Sequence, residues 1–106
     1  MFTINGETWY ITLVTPEDIA LLMPNGELAI GACNDATKTI YISNDLYGED
    51  FETVLCHELV HAAMFAYNVA LDWKDEELLA EIISVFGEEI IDLTDIIFDK
   101  ITRGRF

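Results

Sequence analysis

Basic residues are scarce in this chain. Five Lys and Arg stand against 20 Asp and Glu, a formal net charge of −15 over 106 residues. Direct binding to nucleic acid or to an anionic membrane needs basic patches, so neither partner is expected. The acidity is accounted for by solubility, and it also suits a basic partner or a decoy that imitates the charge of DNA. Long hydrophobic runs are lacking too. No apolar stretch reaches the eighteen or so residues of a membrane span. Met1–Gly6 has no basic segment leading into an apolar one, so no signal peptide is expected. Cysteine is limited to Cys33 and Cys56, which without a secretory leader are expected as reduced thiols rather than a bridge. These absences together predict a cytoplasmic protein.

What remains is rich in core-forming residues, 52% hydrophobic. That excludes a disordered chain, and the length suits one compact domain over residues 1–106. Its centre is Cys56-His57-Glu58-Leu59-Val60-His61, which reads H-E-x-x-H inside an apolar run from Phe51 to Tyr67. On a helix, residues four apart lie one above the other, so His57 and His61 can aim two imidazoles at one point. Two such nitrogens are half of a tetrahedral zinc site. Glu58 then lies beside the metal, where it can take a proton from a water that the metal activates. The apolar flanks Val54, Leu55, Ala62, Ala63 and Phe65 set the motif in a buried helix rather than on a charged surface one. The alternative is a pair of hydrogen-bonded core histidines with a buried Glu58 between them. That arrangement buries a carboxylate without a cation, at a cost.

Along the chain, Asn5-Gly6 is a type I′ turn signal, followed by an alternating strand over about residues 8–14. Thr15 and Pro16 read as the N-cap and first residue of a short helix that ends before Pro24-Asn25-Gly26. Residues 27–32 and 38–43 read as a hairpin around Asn34–Thr37. After a loop, Glu49 and Asp50 place acid at the start of the motif helix, which runs to about Asn68. A third helix is predicted from Asp72 or Asp75 to about Arg103. Its apolar stripe (Leu78, Leu79, Ile82, Ile83, Phe86, Ile90, Leu93, Ile97, Ile101) recurs at spacings of three and four. Its last turns are expected to pack on the N-terminal strand of a monomer, with a dimer as the lesser alternative. The fold class is thus α+β: an antiparallel sheet of about three strands on the motif helix and a long C-terminal helix.

Two histidines are all the chain has, so a third protein ligand must be a carboxylate or a cysteine. A metzincin-type extension is excluded, because Met64 and Tyr67 stand where Gly and His would be needed. Glu76, Glu77, Glu81 and Glu88 are the candidates on the following helix. Glu77 and Glu81 flank a stripe of small residues, Ala80, Ser84 and Gly87, that would let two helices approach closely. Glu77 can then ligate the metal, and Glu81 can orient a histidine.

The order of a hairpin ending in KTIYIS, then LCHELVHA, then EELLAEIISVFGEEI resembles the small zincins of the ImmA/IrrE-like metallopeptidase group. That group includes short phage and mobile-element members. The resemblance spans about residues 27–91. Those proteins pair H-E-x-x-H with a downstream E-x-x-A-[N/D], whose first Glu is the third zinc ligand. Carried over, that Glu is Glu77 and the Ala is Ala80, while Glu81 stands where the group more often has Asn or Asp. The resemblance also implies an edge strand that holds an extended peptide substrate.

The expectation is a zincin with one Zn²⁺ per chain on His57, His61 and Glu77. Glu58 acts as general base on a peptide or protein substrate, and Tyr41, Tyr47 and Tyr67 are candidate oxyanion donors. Two rivals keep the metal without the turnover: a zinc-binding interaction module, and an acidic DNA-mimicking decoy.

Overall fold

The computed structural model describes residues 1–104, so Arg105 and Phe106 of the expected domain lie outside the described residues. The first two strands, β1 (Phe2–Ile4) and β2 (Glu7–Val14), form an antiparallel hairpin in which Ile4 pairs with Glu7. Asn5 and Gly6 carry φ of 48° and 78°, the two positive values that a type I′ turn demands. The Asn5 amide also donates to the Ala66 carbonyl at 3.0 Å. That bond ties the hairpin to the end of the motif helix.

Beyond β2 the expected helix reduces to a single 3₁₀ turn, Ile19–Leu21. Asp18, not Thr15, caps it, its Oδ1 accepting from the Ala20 N–H at 2.8 Å. So few residues before Pro24 cannot offset the cost of nucleating an α-helix. The chain then crosses to β3 (Gly31–Asn34) and β4 (Thr39–Ser43), an antiparallel pair. The strand expected over 27–32 is therefore shifted toward the C-terminus. Residues before Gly31 are instead held by a bridge between Leu22 and Leu28.

The sheet order is β1-β2-β4-β3, with β2 parallel to β4. This corrects the three-stranded antiparallel expectation to four strands in a mixed sheet. The alternation of β2 specifies a face but not a neighbour: residues 15–30 carry the chain past β2 to the far edge as β3, and the turn after β3 brings β4 back beside β2 in the same direction. β1 has three residues, too few to show a period.

One helix covers the sheet side that bears the core, and a second packs on that helix. α1 (Gly48–Ala66) carries the motif and begins three residues earlier than the apolar run, with Glu49 and Asp50 in its first turn. α2 (Trp73–Thr102) is unbroken. Trp9, Ile40, Ile42 and Ala62 form the fully buried centre, with Phe2, Ile4, Phe51, Val54, Leu55 and Leu59 packed around it. No helix among the described residues is long and apolar enough to cross a membrane. Cys33 and Cys56 are free thiols.

The last turns of α2 do not pack on the N-terminal strand, contrary to expectation. Ile90, Leu93, Ile97 and Ile101 are 39–59% exposed. A straight helix that lies on α1 at its start runs past the end of the domain. Its stripe continues where no part of the described chain covers it.

Gly31 is the point where β3 meets α1. A Cβ built there would lie 2.6 Å from Val54 Cγ1 and 3.2 Å from Glu58 Cγ. Gly31→Ala must therefore push the edge strand off the helix, an overpacking that costs about 1–3 kcal/mol. Thermal unfolding should show a Tm lower by roughly 4–8 °C for each kcal/mol. An unchanged Tm would mean that β3 does not press on α1.

Candidate metal centre

His57 and His61 lie one turn apart on the face of α1 that α2 covers. α2 approaches closely because Ala80 is fully buried between the helices. The two helices run antiparallel, so the later residue on α1 meets the earlier one on α2. His61 faces Glu76 and Glu77, while His57 faces Glu77 and Glu81.

The Nε2 atoms of His57 and His61 are 3.3 Å apart. Glu77 closes the triangle, with Oε1 2.8 Å from His61 Nε2 and Oε2 3.4 Å from His57 Nε2. Bonds of 2.0–2.1 Å in a tetrahedral site separate ligand atoms by about 3.3 Å. The two nitrogens have the spacing of one tetrahedral edge, Glu77 meets each of them with a different carboxylate oxygen, and His57, His61 and Glu77 could hold a metal ion. All three residues line one cleft of about 780 Å³.

The other two carboxylates meet the far nitrogens of the same rings. His61 Nδ1 donates to Glu76 Oε2 at 2.7 Å, which leaves the Nε2 lone pair free for a metal. Glu81 Oε2 lies 3.5 Å from His57 Nδ1, and Glu81 is largely exposed. The orienting role expected of Glu81 is thus carried more tightly by Glu76 on the other histidine. Glu88 lies further along α2, exposed and outside the cleft. Glu76→Ala should weaken metal binding by about 10–100-fold, and Glu81→Ala by less. Competition against a chelator measures both, and the reverse order would show that His57 is the ring whose orientation matters.

Glu58 is 7% exposed and lines the cleft beside both rings. Burial pushes its carboxyl above the usual range. The two imidazoles oppose that shift and Glu77 adds to it. Cys33 also lines the cleft, but burial, with Glu58 and Asp35 nearby, pushes its thiol up to about 12. Among the described residues, the ligand atoms that come together are those of His57, His61 and Glu77, and Cys33 is not one of that group.

The three tyrosines fall elsewhere. Tyr41 sits on β4 between Ile40 and Ile42, so strand alternation turns it to the sheet face away from the core. Tyr47 precedes α1 and Tyr67 caps its end, at 84% and 58% exposed. None of the three lines the cleft.

Two features of the site escape motif reading. One is Gly31, whose signal is only a glycine within a strand, a mark of close backbone approach. The other is the apolar side of the cleft, where Leu22, Met23, Leu28, Ile30 and Trp73 are 39–69% exposed. They come from a crossover segment and a helix start that carry no motif. Set against protein-family models, curated proteins and solved structures, the chain matches none of them.

Proposed function

We propose that this protein is a metallopeptidase, a glutamate-type zincin in which His57, His61 and Glu77 hold one zinc ion. The observation that carries the reading is the triangle of two Nε2 atoms and one carboxylate, with the buried Glu58 carboxyl beside it. Two imidazoles and a carboxylate are the donor set of a catalytic zinc with an open position.

When bound, the zinc ion polarises the scissile carbonyl and makes a water acidic enough to lose its proton near neutral pH. The remaining roles belong to the chain. Glu58 takes the proton from the attacking water and passes it to the departing amine nitrogen. Its burial keeps competing water away, and its charged form is favoured beside a bound zinc ion despite that burial. Glu76 and Glu81 hold the rings of His61 and His57 in orientation. β3 is the edge of the sheet, and its Gly31, Ala32 and Cys33 line the cleft. A peptide laid along that free edge in extended form gains main-chain hydrogen bonds, and its carbonyls pass over the ligands. Leu22, Leu28 and Trp73 offer apolar contact to its side chains.

Cleavage of a random peptide library by the zinc-reconstituted protein, read by mass spectrometry, tests the proposal. Cuts that vanish with chelator and return with zinc are the expected result. A library left intact by protein carrying a full equivalent of zinc would instead favour a binding module.

A further inference from the structure

We propose that the chain forms a two-fold dimer through the distal half of α2. The two helices pack antiparallel, with Ile90 of each chain across from Ile101 of the other.

α2 has 30 residues, about 45 Å at 1.5 Å each, and only its first half is occupied with α1 and the metal centre. Past Gly87 the sequence still sorts itself by helical period. Glu88, Asp92, Asp95 and Asp99 fall on one side. Ile90, Leu93, Thr94, Ile97, Phe98 and Ile101 fall on the other and line a shallow groove. A helix with no partner has no physical reason to separate its residues in this way.

The dimensions of the molecule point to a missing partner. A compact protein of 12.0 kDa exposes about 6,000 Å² and has a radius of gyration near 13 Å. This chain exposes 7516 Å², and its radius of gyration is 16.2 Å within extents of 55 × 30 × 28 Å. The excess of roughly 1,500 Å² exceeds the ~800 Å² that a standard stable interface takes from each partner.

Charge and shape identify that partner as a second copy. The segment opens on Glu88 and Glu89 and closes on Lys100 and Arg103, with Arg103 also held by Asp99 of its own helix at 2.9 Å. Parallel pairing would set like charges side by side. Antiparallel pairing brings the basic end of each helix to the acidic end of the other and opposes the helix dipoles. The same register places Thr94 against Ile97 on either side of the two-fold axis, a small residue against a large one. It also sends the two domains to opposite ends of the pair, so they do not collide. An anionic membrane is a poor occupant, because Glu88, Asp92, Asp95 and Asp99 of the same helix would be brought to its surface.

Light scattering during size exclusion tests the proposal, with full-length protein at about 100 µM, a hundredfold above a micromolar Kd. Wild type should show twice the 12.0 kDa chain mass. Ile97→Glu, at a site already exposed in the single chain, should show the chain mass with its helix content retained and a Tm that no longer depends on protein concentration. A wild-type protein of single-chain mass overturns the proposal, even if it captures some other protein. A dimer that survives Ile97→Glu does so as well. Orientation is read by mixing Ile90→Cys and Ile101→Cys proteins under oxidation and mapping the disulfides by mass. Bonds between positions 90 and 101 are expected, whereas bonds between two copies of position 90 would overturn the antiparallel arrangement. None of these readouts depends on metal or on peptide cleavage.

Discussion

Glu58→Gln should retain its zinc and lose about 10²–10⁴-fold in peptide hydrolysis, the range a positioned general base contributes. The amide matches the carboxylate in size, so it should keep the contact with Gly31 and leave the metal triangle undisturbed. It cannot accept the proton that the attacking water must lose. The loss should fall on kcat rather than on KM, because Glu58 does its work only as the transition state forms. Burial of the native carboxylate costs stability, so the variant should also melt no lower than wild type. Equal turnover in Glu58→Gln would remove the residue from its role and leave the motif a metal site without a base.

His61→Ala should have the largest effect on metal binding, more than the 10–100-fold expected for a residue that only orients a ligand. One reason is the lost nitrogen. The other is what stays behind, since His61 lies between Glu76 at 2.7 Å and Glu77 at 2.8 Å. Without the ring, two carboxylates face each other across a partly buried gap with no cation between them. Glu77 is then left with His57 alone, too few donors for a tight site. His57→Ala should lose the metal as well but disturb the helix pair less. Its carboxylate contacts are longer, 3.4 and 3.5 Å, and Glu81 is largely exposed. Zinc titration followed by chemical denaturation of the metal-free variants checks both parts. Undiminished zinc affinity in His61→Ala would place the metal elsewhere.

The parts of this molecule legible in its sequence are those written into local spacing. The i, i+4 histidines, the Asn5-Gly6 turn and the two amphipathic helices each depend on residues within a few turns of one another. What was lost depends on pairing. β2 alternates just as clearly whether β4 runs beside it parallel or antiparallel, and the direction is set by the chain forming the edge strand β3 before it turns back as β4. Glu81 was favoured over Glu76 for holding a histidine because wheel angles place Glu81 beside the small-residue stripe. The short connection between α1 and α2 already implies an antiparallel pair, in which His61 must meet the earlier glutamates and His57 the later one. That order assigns Glu76 to His61 from the sequence alone. Tyr41 shows the opposite limit. Its period on β4 was readable, but which sheet face holds the core was not. The distal stripe of α2 was visible, while its lack of a covering strand was not.

X-ray absorption at the zinc edge, on protein loaded with one equivalent, tests the central claim most directly. The account predicts two imidazoles and oxygen donors at 2.0–2.2 Å, with no sulfur. A sulfur shell at about 2.3 Å would substitute Cys33 for Glu77, and a spectrum without two imidazoles, or folded protein that takes up no zinc, would contradict the site altogether.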